Sequence, residues 1–254
     1  LFLVRYENSM KMDSVQKIKV LLKEIVGEKH ILVGNDMSSY CIDWSKKYLS
    51  NPIAVVRPAS TNEVSDILSA CYKNGISMVP ISGNTGLSGG TYAEGSVMIS
   101  LERLNQIRSI KRESNIAIVE AGVILSKLHT KAGDFNLVFP LTFGAKASAM
   151  IGGILSTNAG GSNVLRYGST RTLCLGLEVV LPDGRIMNIM SELHKDNTGY
   201  DLKGLIIGAE GTLGIITAIV LKLSPKPISY ATAMLATNSL ETALKVLNTL
   251  QKKT

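Results

Sequence analysis

The sequence contains 254 residues, 45% of them hydrophobic and 19% charged, and it carries a formal net charge of +7. This composition supports a packed core and excludes intrinsic disorder, which requires few apolar residues and a high charge density. Cys41, Cys71 and Cys174 are odd in number and widely spaced, so they predict reduced thiols in an intracellular protein rather than a disulfide scaffold. The basic residues are spread evenly, with no run longer than a dipeptide, which argues against a nucleic-acid partner.

No segment of the sequence predicts a membrane span. The most apolar stretch, residues 205–223, contains Glu210, Lys222 and three glycines, whereas a spanning helix needs about 20 nearly unbroken apolar residues. The apolar start at residues 1–4 is far too short for a signal peptide. We therefore expect a cytoplasmic protein and leave open a peripheral association with a membrane.

The first part of the chain predicts a small parallel sheet. A helix capped by Asp13 should run to Val26, because apolar residues recur along it at helical spacing. Residues 53–56 predict an apolar strand, and residues 60–63 form a capping box that should begin a helix. A second strand is expected at 76–81. The order strand, helix, strand indicates a right-handed crossover between parallel strands.

Beyond residue 96 the pattern changes to short strands joined by tight turns, which is typical of antiparallel pairing. Helices are expected at 123–133 and 197–207, and residues 182–184 predict a hairpin turn because Pro fixes φ and Gly allows positive φ. The strands are expected at 97–101, 107–110, 116–119, 176–181, 185–189 and 214–223. The sequence as a whole therefore predicts an α+β fold.

The last residues predict the start of a further domain. Residues 230–236 are typical of a strand and residues 240–250 of an amphipathic helix, yet one strand and one helix cannot bury their own apolar faces. We therefore expect the chain to be the front part of a longer protein. Its expected parts are a helical lead-in (1–50), a domain at 51–227 with subdomains at 51–104 and 105–227, and the start of an incomplete cap domain (228–254).

A glycine-rich loop follows the strand at 76–81. Its four glycines, at 83, 86, 89 and 90, let a ligand approach the backbone closely, and successive N–H groups in such a loop can form a nest for phosphate oxygens. Additional donors are offered by Ser82, Asn84, Thr85 and Ser88. The pattern matches neither the P-loop nor the Rossmann fingerprint. A surface loop that merely needs flexibility is the alternative.

Two further segments carry a related signal. Residues 140–168 contain a second glycine cluster with interleaved Asn and Thr donors, and Glu210 lies in an otherwise apolar run at 205–223. The cluster favours an extended ligand between two subdomains, although tight packing of a helix on a sheet selects the same small residues. A carboxylate in an apolar run is costly unless it is paired. Glu210 would accept hydrogen bonds from a ribose or adenine group, or serve as a structural cap or ion pair.

Taken together, these motifs resemble the FAD-linked oxidases of the vanillyl-alcohol-oxidase type, and among them the D-2-hydroxyacid dehydrogenases that act on D-2-hydroxyglutarate, D-lactate or glycolate. The resemblance covers roughly 51–227 and implies the PCMH-type FAD-binding fold, in which FAD lies between a small parallel βαβ subdomain and a mainly antiparallel α+β subdomain. It rests on Pro80-Ile-Ser-Gly-Asn-Thr-Gly-Leu-Ser-Gly-Gly90, Gly152-Gly153, Thr157-Asn-Ala-Gly-Gly161, Leu165-Arg-Tyr-Gly168, Asp196-Asn-Thr-Gly-Tyr-Asp-Leu202 and Glu210-Gly-Thr-Leu-Gly-Ile215. A cell-wall flavoprotein reductase of the same superfamily fits the 197–202 motif less well.

The resemblance assigns cofactor contacts residue by residue. It implies that loop 83–90 holds the FAD diphosphate, that residues 140–161 line the isoalloxazine and ribityl parts, and that residues 210–216 contact the adenosine side or the cleft wall. The residues expected to contact FAD are Pro80, Ile81, Ser82, Gly83, Asn84, Thr85, Gly86, Leu87, Ser88, Gly89, Pro140, Leu141, Thr142, Gly144, Ala145, Ile151, Gly152, Gly153, Thr157, Asn158, Ala159, Gly160, Gly161, Tyr167, Gly168, Glu210, Gly211, Ile215 and Ile216. No His or Cys lies in loop 83–90, so we expect non-covalent FAD. His129 and His194 are expected to be structural or solvated.

The resemblance also implies a reaction, namely hydride transfer from C2 of a small 2-hydroxy acid to the flavin N5, with a quinone, a cytochrome or an electron-transfer flavoprotein as electron acceptor. This chemistry needs a base for the hydroxyl proton and a cation or metal for the carboxylate, and the sequence offers neither a candidate set nor a metal-ligand spacing. In the family those groups lie in the cap domain and the C-terminal segment. We therefore expect FAD binding with little or no turnover. The alternatives are a non-catalytic flavin-binding remnant, an electron-transfer subunit and a non-flavin nucleotide-binding module, and a homodimer is left open.

Overall fold

The computed structural model describes the backbone of residues 2–253 and the side chains of residues 14–251. Within that range the helices are α1 (Phe2–Val26), α2 (Thr61–Lys73), α3 (Leu125–Gly133), α4 (Ile151–Ser156), α5 (Val164–Tyr167), α6 (Thr170–Leu173), α7 (Leu202–Ile206) and α8 (Leu240–Lys253). The strands are β1 (Ile31–Leu32), β2 (Ala54–Val56), β3 (Met78–Ile81), β4 (Val97–Ser100), β5 (Ile107–Lys111), β6 (Ile116–Glu120), β7 (Leu137–Val138), β8 (Cys174–Val180), β9 (Ile186–Ile189), β10 (Ile215–Lys222) and β11 (Ser224–Pro225).

Helix α1 starts earlier than the sequence predicts. Because α1 begins at Phe2, Asp13 lies inside the helix and does not cap it; the side chain of Asp13 is outside the described residues. The predicted C-terminal end is confirmed, since α1 ends at Val26 and Gly27 follows with φ +80°. Ile18 and Leu22 are fully buried, so the apolar stripe anchors α1 to the rest of the chain.

The predicted parallel sheet is confirmed, but the strand predicted at 97–101 is not one of the antiparallel strands as expected: it is β4 and lies between β2 and β3, while β1 pairs antiparallel with β2. Its strand order is β1-β2-β4-β3, and β2 and β3 each pair parallel to β4. Helix α2 begins at the predicted capping box: the Glu63 N–H donates to Ser60 Oγ at 3.1 Å, and the Ala59 N–H donates to Glu63 Oε2 at 2.8 Å. The loop after β3 leaves the sheet at the carboxyl end of the parallel strands, where open α/β sheets bind ligands.

The second sheet is antiparallel throughout, with the order β5-β6-β10-β8-β9. All five of these strands are predicted from the sequence. The hairpin turn between β8 and β9 is also confirmed, because Gly184 has φ +93° and its N–H donates to Leu181 O at 2.9 Å. The sequence misses β1 and the β7–β11 pair, since strands of two residues are too short to show a period.

Two predicted elements are wrong. The helix expected at 197–207 is reduced to α7, because Gly199 adopts φ +68° and Asp201 caps the helix by accepting from the Gly204 N–H at 3.2 Å. The strand expected at 230–236 does not form. Residues 229–242 are all exposed, and no strand of the described part of the chain lies beside them to supply a ladder.

One hydrophobic cluster joins the two sheets. It contains α2 and β4 residues such as Ile67 and Ile99, and β6, β8 and β10 residues such as Val119, Leu177 and Ile219, all of them fully buried. A smaller cluster lies on the other face of the parallel sheet, around Met37, Val55, Ile81, Ala93 and Met98. The shared core fixes the position of the β3 loop relative to the antiparallel sheet, and the overall architecture is the predicted α+β fold.

Candidate cofactor site

The loop after β3, residues 82–90, is shaped by a side chain from within it. Asn84 adopts φ +48°; its Nδ2 donates to Ile42 O at 2.9 Å, and its Oδ1 accepts from Thr91 Oγ1 at 2.8 Å. Both ends of the Asn84 amide are therefore used within the protein. These two bonds help to fix the loop conformation; the amide nitrogen has a second hydrogen, so its role as an additional phosphate donor stays a prediction.

The backbone of this loop keeps its donors unpaired. Among the backbone hydrogen bonds of residues 2–253, none is donated by an N–H of residues 84–90. A Cβ built on Gly86 has no atom within 4 Å, so the chain passes open space at this point. Unpaired N–H groups beside open space are what a nest for phosphate oxygens requires.

The second glycine cluster packs directly against the loop. A Cβ on Gly83 would overlap the carbonyl oxygen of Ser148, and a Cβ on Gly153 would lie 3.1 Å from Ser82 Cβ. The absence of side chains at Gly83 and Gly153 therefore permits the turn before α4, and α4 itself, to approach the loop. Two of the three segments that the sequence singles out thus meet.

The third segment joins them from the other side. Gly211, with φ +81°, packs on Pro80, whose Cγ would lie 2.5 Å from an added Cβ, and Glu210 Oε2 is 3.3 Å from the corresponding position on Gly90. Glu210 is exposed, has φ +53°, and donates its N–H to Ser156 O at 2.9 Å. The sequence predicts that this carboxylate carries a desolvation cost. That prediction is wrong, because Glu210 is exposed and lies beside Gly90 at the end of the β3 loop.

Arg171 links two of these segments by hydrogen bonds, a role that the sequence does not predict. Its guanidinium donates to Gly204 O and, at 2.6 Å, to Ile207 O at the end of α7. Its backbone N–H donates to Asn158 Oδ1 at 3.0 Å, and Asn158 has φ +46°. Arg171 thus connects the glycine-rich turn at 158–161 to the segment that carries Glu210.

Two more glycines face open space. Gly144 and Gly160 have no atom within 4 Å of an added Cβ, whereas a Cβ on Gly161 would overlap Thr142 O. Gly161 is therefore required by packing between the 140–142 and 160–163 segments, but packing within the protein explains neither Gly144 nor Gly160. Small residues beside open space fit a ligand that lies against the backbone.

The remaining predicted contact residues fall into two groups. The buried ones are Ile81, Pro140, Leu141, Ile151, Gly152, Ile215 and Ile216. Those that are partly or fully exposed are Pro80, Ser82, Thr85, Leu87, Ser88, Gly89, Thr142, Ala145, Thr157, Ala159, Tyr167 and Gly168. The predicted contact residues therefore include both core and surface positions, and their contacts with FAD stay a prediction.

Neither predicted structural histidine lies in the glycine-rich loops. Burial lowers the pKa of His129, and interactions with the backbone of Leu141 and Phe139 offset part of that effect. His194 is exposed and its Nε2 is 2.6 Å from Ser114 O. Among the side chains of residues 14–251, no group of three or more His, Cys, Asp or Glu is placed to hold a metal ion, and no helix of the described chain is long and apolar enough to cross a membrane.

Comparison with known proteins agrees with this geometry. Residues 52–190 match the family described as FAD binding domain, and the chain belongs to this family, whose cofactor is FAD. It is 39% identical over 229 residues to the mitochondrial D-2-hydroxyglutarate dehydrogenase of Bos taurus, covering 90% of this chain and 42% of that protein. It is 38% identical over 212 residues to the D-2-hydroxyglutarate–pyruvate transhydrogenase of Saccharomyces cerevisiae, covering 83% of this chain and 43% of that protein.

Solved structures give the same fold. Alkyldihydroxyacetonephosphate synthase superposes with a TM-score of 0.76 at 20% sequence identity, covering 84% of this chain and 41% of that one. At this identity the likeness concerns the fold alone. The PCMH-type FAD-binding fold implied by the sequence motifs is therefore confirmed, and the chain spans about two fifths of the length of the relatives it matches.

Proposed function

We propose that this chain is the FAD-binding part of a D-2-hydroxyacid dehydrogenase whose substrate is of the D-2-hydroxyglutarate class. The observation that carries the proposal is the convergence of three glycine-rich segments on loop 82–90, where no N–H group of residues 84–90 donates to a backbone oxygen of residues 2–253. The names of the relatives at 38–42% identity support the substrate class.

In this proposal each segment around the loop contacts a different part of FAD. The N–H groups of 84–90 would hold the diphosphate, the backbone at Gly144 and Gly160 would lie against the ring and ribityl chain, and Glu210 would accept from a ribose hydroxyl or an adenine amino group. Bound flavin supplies the hydride acceptor. The chain itself binds the cofactor, orients it and excludes water from one side of it. Binding is non-covalent in this proposal.

The groups that handle the substrate are proposed to lie in another domain. His129 is half-buried beside Leu141, and His194 is held near Ser114, so neither supplies a base at the glycine-rich loops. Residues 228–253 are proposed to open that domain, because the apolar residues Leu240, Leu244 and Leu247 of α8 are 77%, 51% and 47% exposed. The electron acceptor, a homodimer and a cytoplasmic location stay predictions.

Alanine substitutions at glycines with open surroundings test the cofactor proposal directly. Gly86→Ala and Gly144→Ala add a methyl group where the protein has no atom within 4 Å, so the unliganded fold should keep its stability. The FAD dissociation constant should rise by about tenfold if FAD fills that space. Gly133→Ala at the end of α3 is the matched control, because it also has open surroundings but lies outside the three segments. Protein that is colourless and stays apo after incubation with FAD would overturn the proposal.

A turnover assay separates the two parts of the proposal. The 254-residue chain loaded with FAD should not reduce a redox dye with D-2-hydroxyglutarate, whereas the same chain joined to the rest of its native reading frame should. Turnover by the 254-residue chain would contradict the placement of the substrate groups in another domain. It would leave the assignment of FAD intact.

A further inference from the structure

The lead-in segment before the FAD-binding match ends in a tight loop that folds onto the β3 loop. Residues 42–49, named here the brace, are closed by an antiparallel bridge between Ile42 and Leu49. The brace precedes residue 52, where the family match begins. The brace side of its contacts with loop 82–90 therefore lies outside the matched residues.

A single buried carboxylate fixes the shape of the brace. Asp43 is 6% exposed, and its two oxygens accept hydrogen bonds from the backbone N–H groups of Ser45 (2.9 Å), Lys47 (3.0 Å) and Tyr48 (3.0 Å), as well as from the Ser45 hydroxyl. The Asp43 N–H also donates to Tyr48 O at 3.3 Å. These bonds set the position of Tyr48 relative to the rest of the brace.

Tyr48 in turn packs on the end of the β3 loop. A Cβ on Gly89, which has φ +73°, would lie 2.9 Å from the Tyr48 ring, so the ring sits directly on the Gly89 backbone. The Tyr92 ring lies 6.4 Å from it at 59°. The second contact is the bond from Asn84 Nδ2 to Ile42 O, so the brace touches the β3 loop near its beginning and near its end.

The backbone N–H groups of the β3 loop contribute little to its stability. None of the N–H groups of 84–90 is used within the described chain, so the loop is not held by the backbone bonds that usually stabilise a turn. A loop that must order on binding costs affinity, and fixing it beforehand removes that cost. The two brace contacts are placed to do this.

We propose that Tyr48 is a positioning residue for the FAD diphosphate, acting by packing on Gly89 and holding loop 84–90 in its binding conformation. The identity of the ligand rests on the proposed function, whereas the effect of Tyr48 on the loop does not. Tyr48 has no contact with FAD in this proposal. Its phenol hydroxyl is not needed, because the contact with Gly89 is made by ring carbons.

The experiment compares Tyr48→Ala with Tyr48→Phe in the 254-residue chain, with Tyr72→Ala as control. Tyr72 is 61% exposed on α2 and lies outside the brace and the β3 loop. Backbone ¹⁵N order parameters of residues 84–91 are measured by NMR without ligand, because these unpaired amides are poorly suited to hydrogen exchange. The FAD dissociation constant is measured by flavin fluorescence, and the unfolding midpoint is measured without ligand.

We expect Tyr48→Ala to lower the order parameters of 84–91 and to raise the FAD dissociation constant by about tenfold, the loss of roughly one aromatic contact. Tyr48→Phe should keep the wild-type value of both, and the unfolding midpoint should move no more than for Tyr72→Ala. Unchanged order parameters in Tyr48→Ala overturn the positioning role, whatever the effect on FAD. If the order parameters fall in Tyr48→Ala but the wild-type chain does not bind FAD, the FAD assignment is overturned and the support of the loop by Tyr48 stands.

Discussion

Thr61 Oγ1 donates a hydrogen bond to Glu178 Oε1 at 2.6 Å and so connects the start of α2 to strand β8. The same carboxylate oxygen accepts from Thr217 Oγ1 of β10 at 2.9 Å and lies 3.6 Å from the Arg108 guanidinium. The side chain of Glu178 is only 16% exposed. One carboxylate therefore joins the parallel-sheet part of the fold to the antiparallel sheet, on the boundary across which FAD is proposed to bind.

Glu178→Ala should lower the free energy of unfolding by about 1–3 kcal/mol, because in a mostly buried place the Thr61 hydroxyl loses its acceptor and the Thr217 hydroxyl keeps only its 3.3 Å contact with the Glu178 carbonyl oxygen. Thr61→Val removes only one of these bonds and should cost about 1 kcal/mol. Glu192→Ala is the control: Glu192 pairs with Lys111 at the surface, where such pairs contribute less than about 1 kcal/mol. Urea unfolding followed by circular dichroism measures all three. Equal effects of Glu178→Ala and Glu192→Ala would contradict the bridging role.

Gly83→Ala should destabilise the protein even without ligand. The added Cβ would overlap Ser148 O, which belongs to the backbone and cannot move aside as a side chain can. Overpacking of this kind costs about 1–3 kcal/mol. Gly86→Ala, three residues further along the same loop, meets no atom within 4 Å and should leave unfolding unchanged. A comparison of the two unfolding midpoints checks the prediction, which fails if both variants unfold alike.

The sequence predicts the three glycine-rich segments because their signal is local. Close backbone approach and positive φ both select glycine, and Gly83, Gly153 and Gly211 are each explained by a close neighbour in one of the other segments. The five strands of the antiparallel sheet are found for a similar reason, since their apolar runs are bounded by turn residues.

The contacts that hold the site in place are not visible in the sequence. Tyr48 and Gly89 are distant along the chain, and nothing in the pattern around either residue indicates the other. The same holds for Arg171, whose partners are carbonyl oxygens that any residue could provide. The strand predicted at 230–236 fails for the opposite reason: its local pattern suits a strand, but a strand also needs a neighbour to pair with.

Arg171→Lys should loosen the 158–161 turn and weaken FAD binding by about three- to tenfold. Lysine keeps the positive charge but offers a single nitrogen, whereas the guanidinium uses Nη1 for the Gly204 carbonyl oxygen and Nη2 for that of Ile207. Arg185→Lys is the control, because Arg185 is exposed and its guanidinium pairs with the neighbouring Asp183. Flavin fluorescence titration and amide exchange of residues 158–161 measure the effect. Wild-type FAD affinity and wild-type amide exchange in Arg171→Lys would show that the two guanidinium hydrogen bonds are not required.

The buried thiols predict a loss of stability at alkaline pH. Burial raises the pKa of Cys71 and of Cys174 from 9.0 to about 12. Between about pH 9 and pH 12 the unfolded chain has therefore lost protons that the folded chain still holds, so the free energy of unfolding falls as pH rises through this range, and the contribution is fully present below pH 9. Cys71→Ala should make the fall of the unfolding free energy with pH less steep, and urea unfolding at several pH values measures it.

The same burial predicts unequal labelling of the thiols. In the folded protein a thiol reagent should modify the partly exposed Cys41 much faster than Cys71 and Cys174. Equal labelling of all three thiols would contradict the burial that raises the pKa of Cys71 and Cys174.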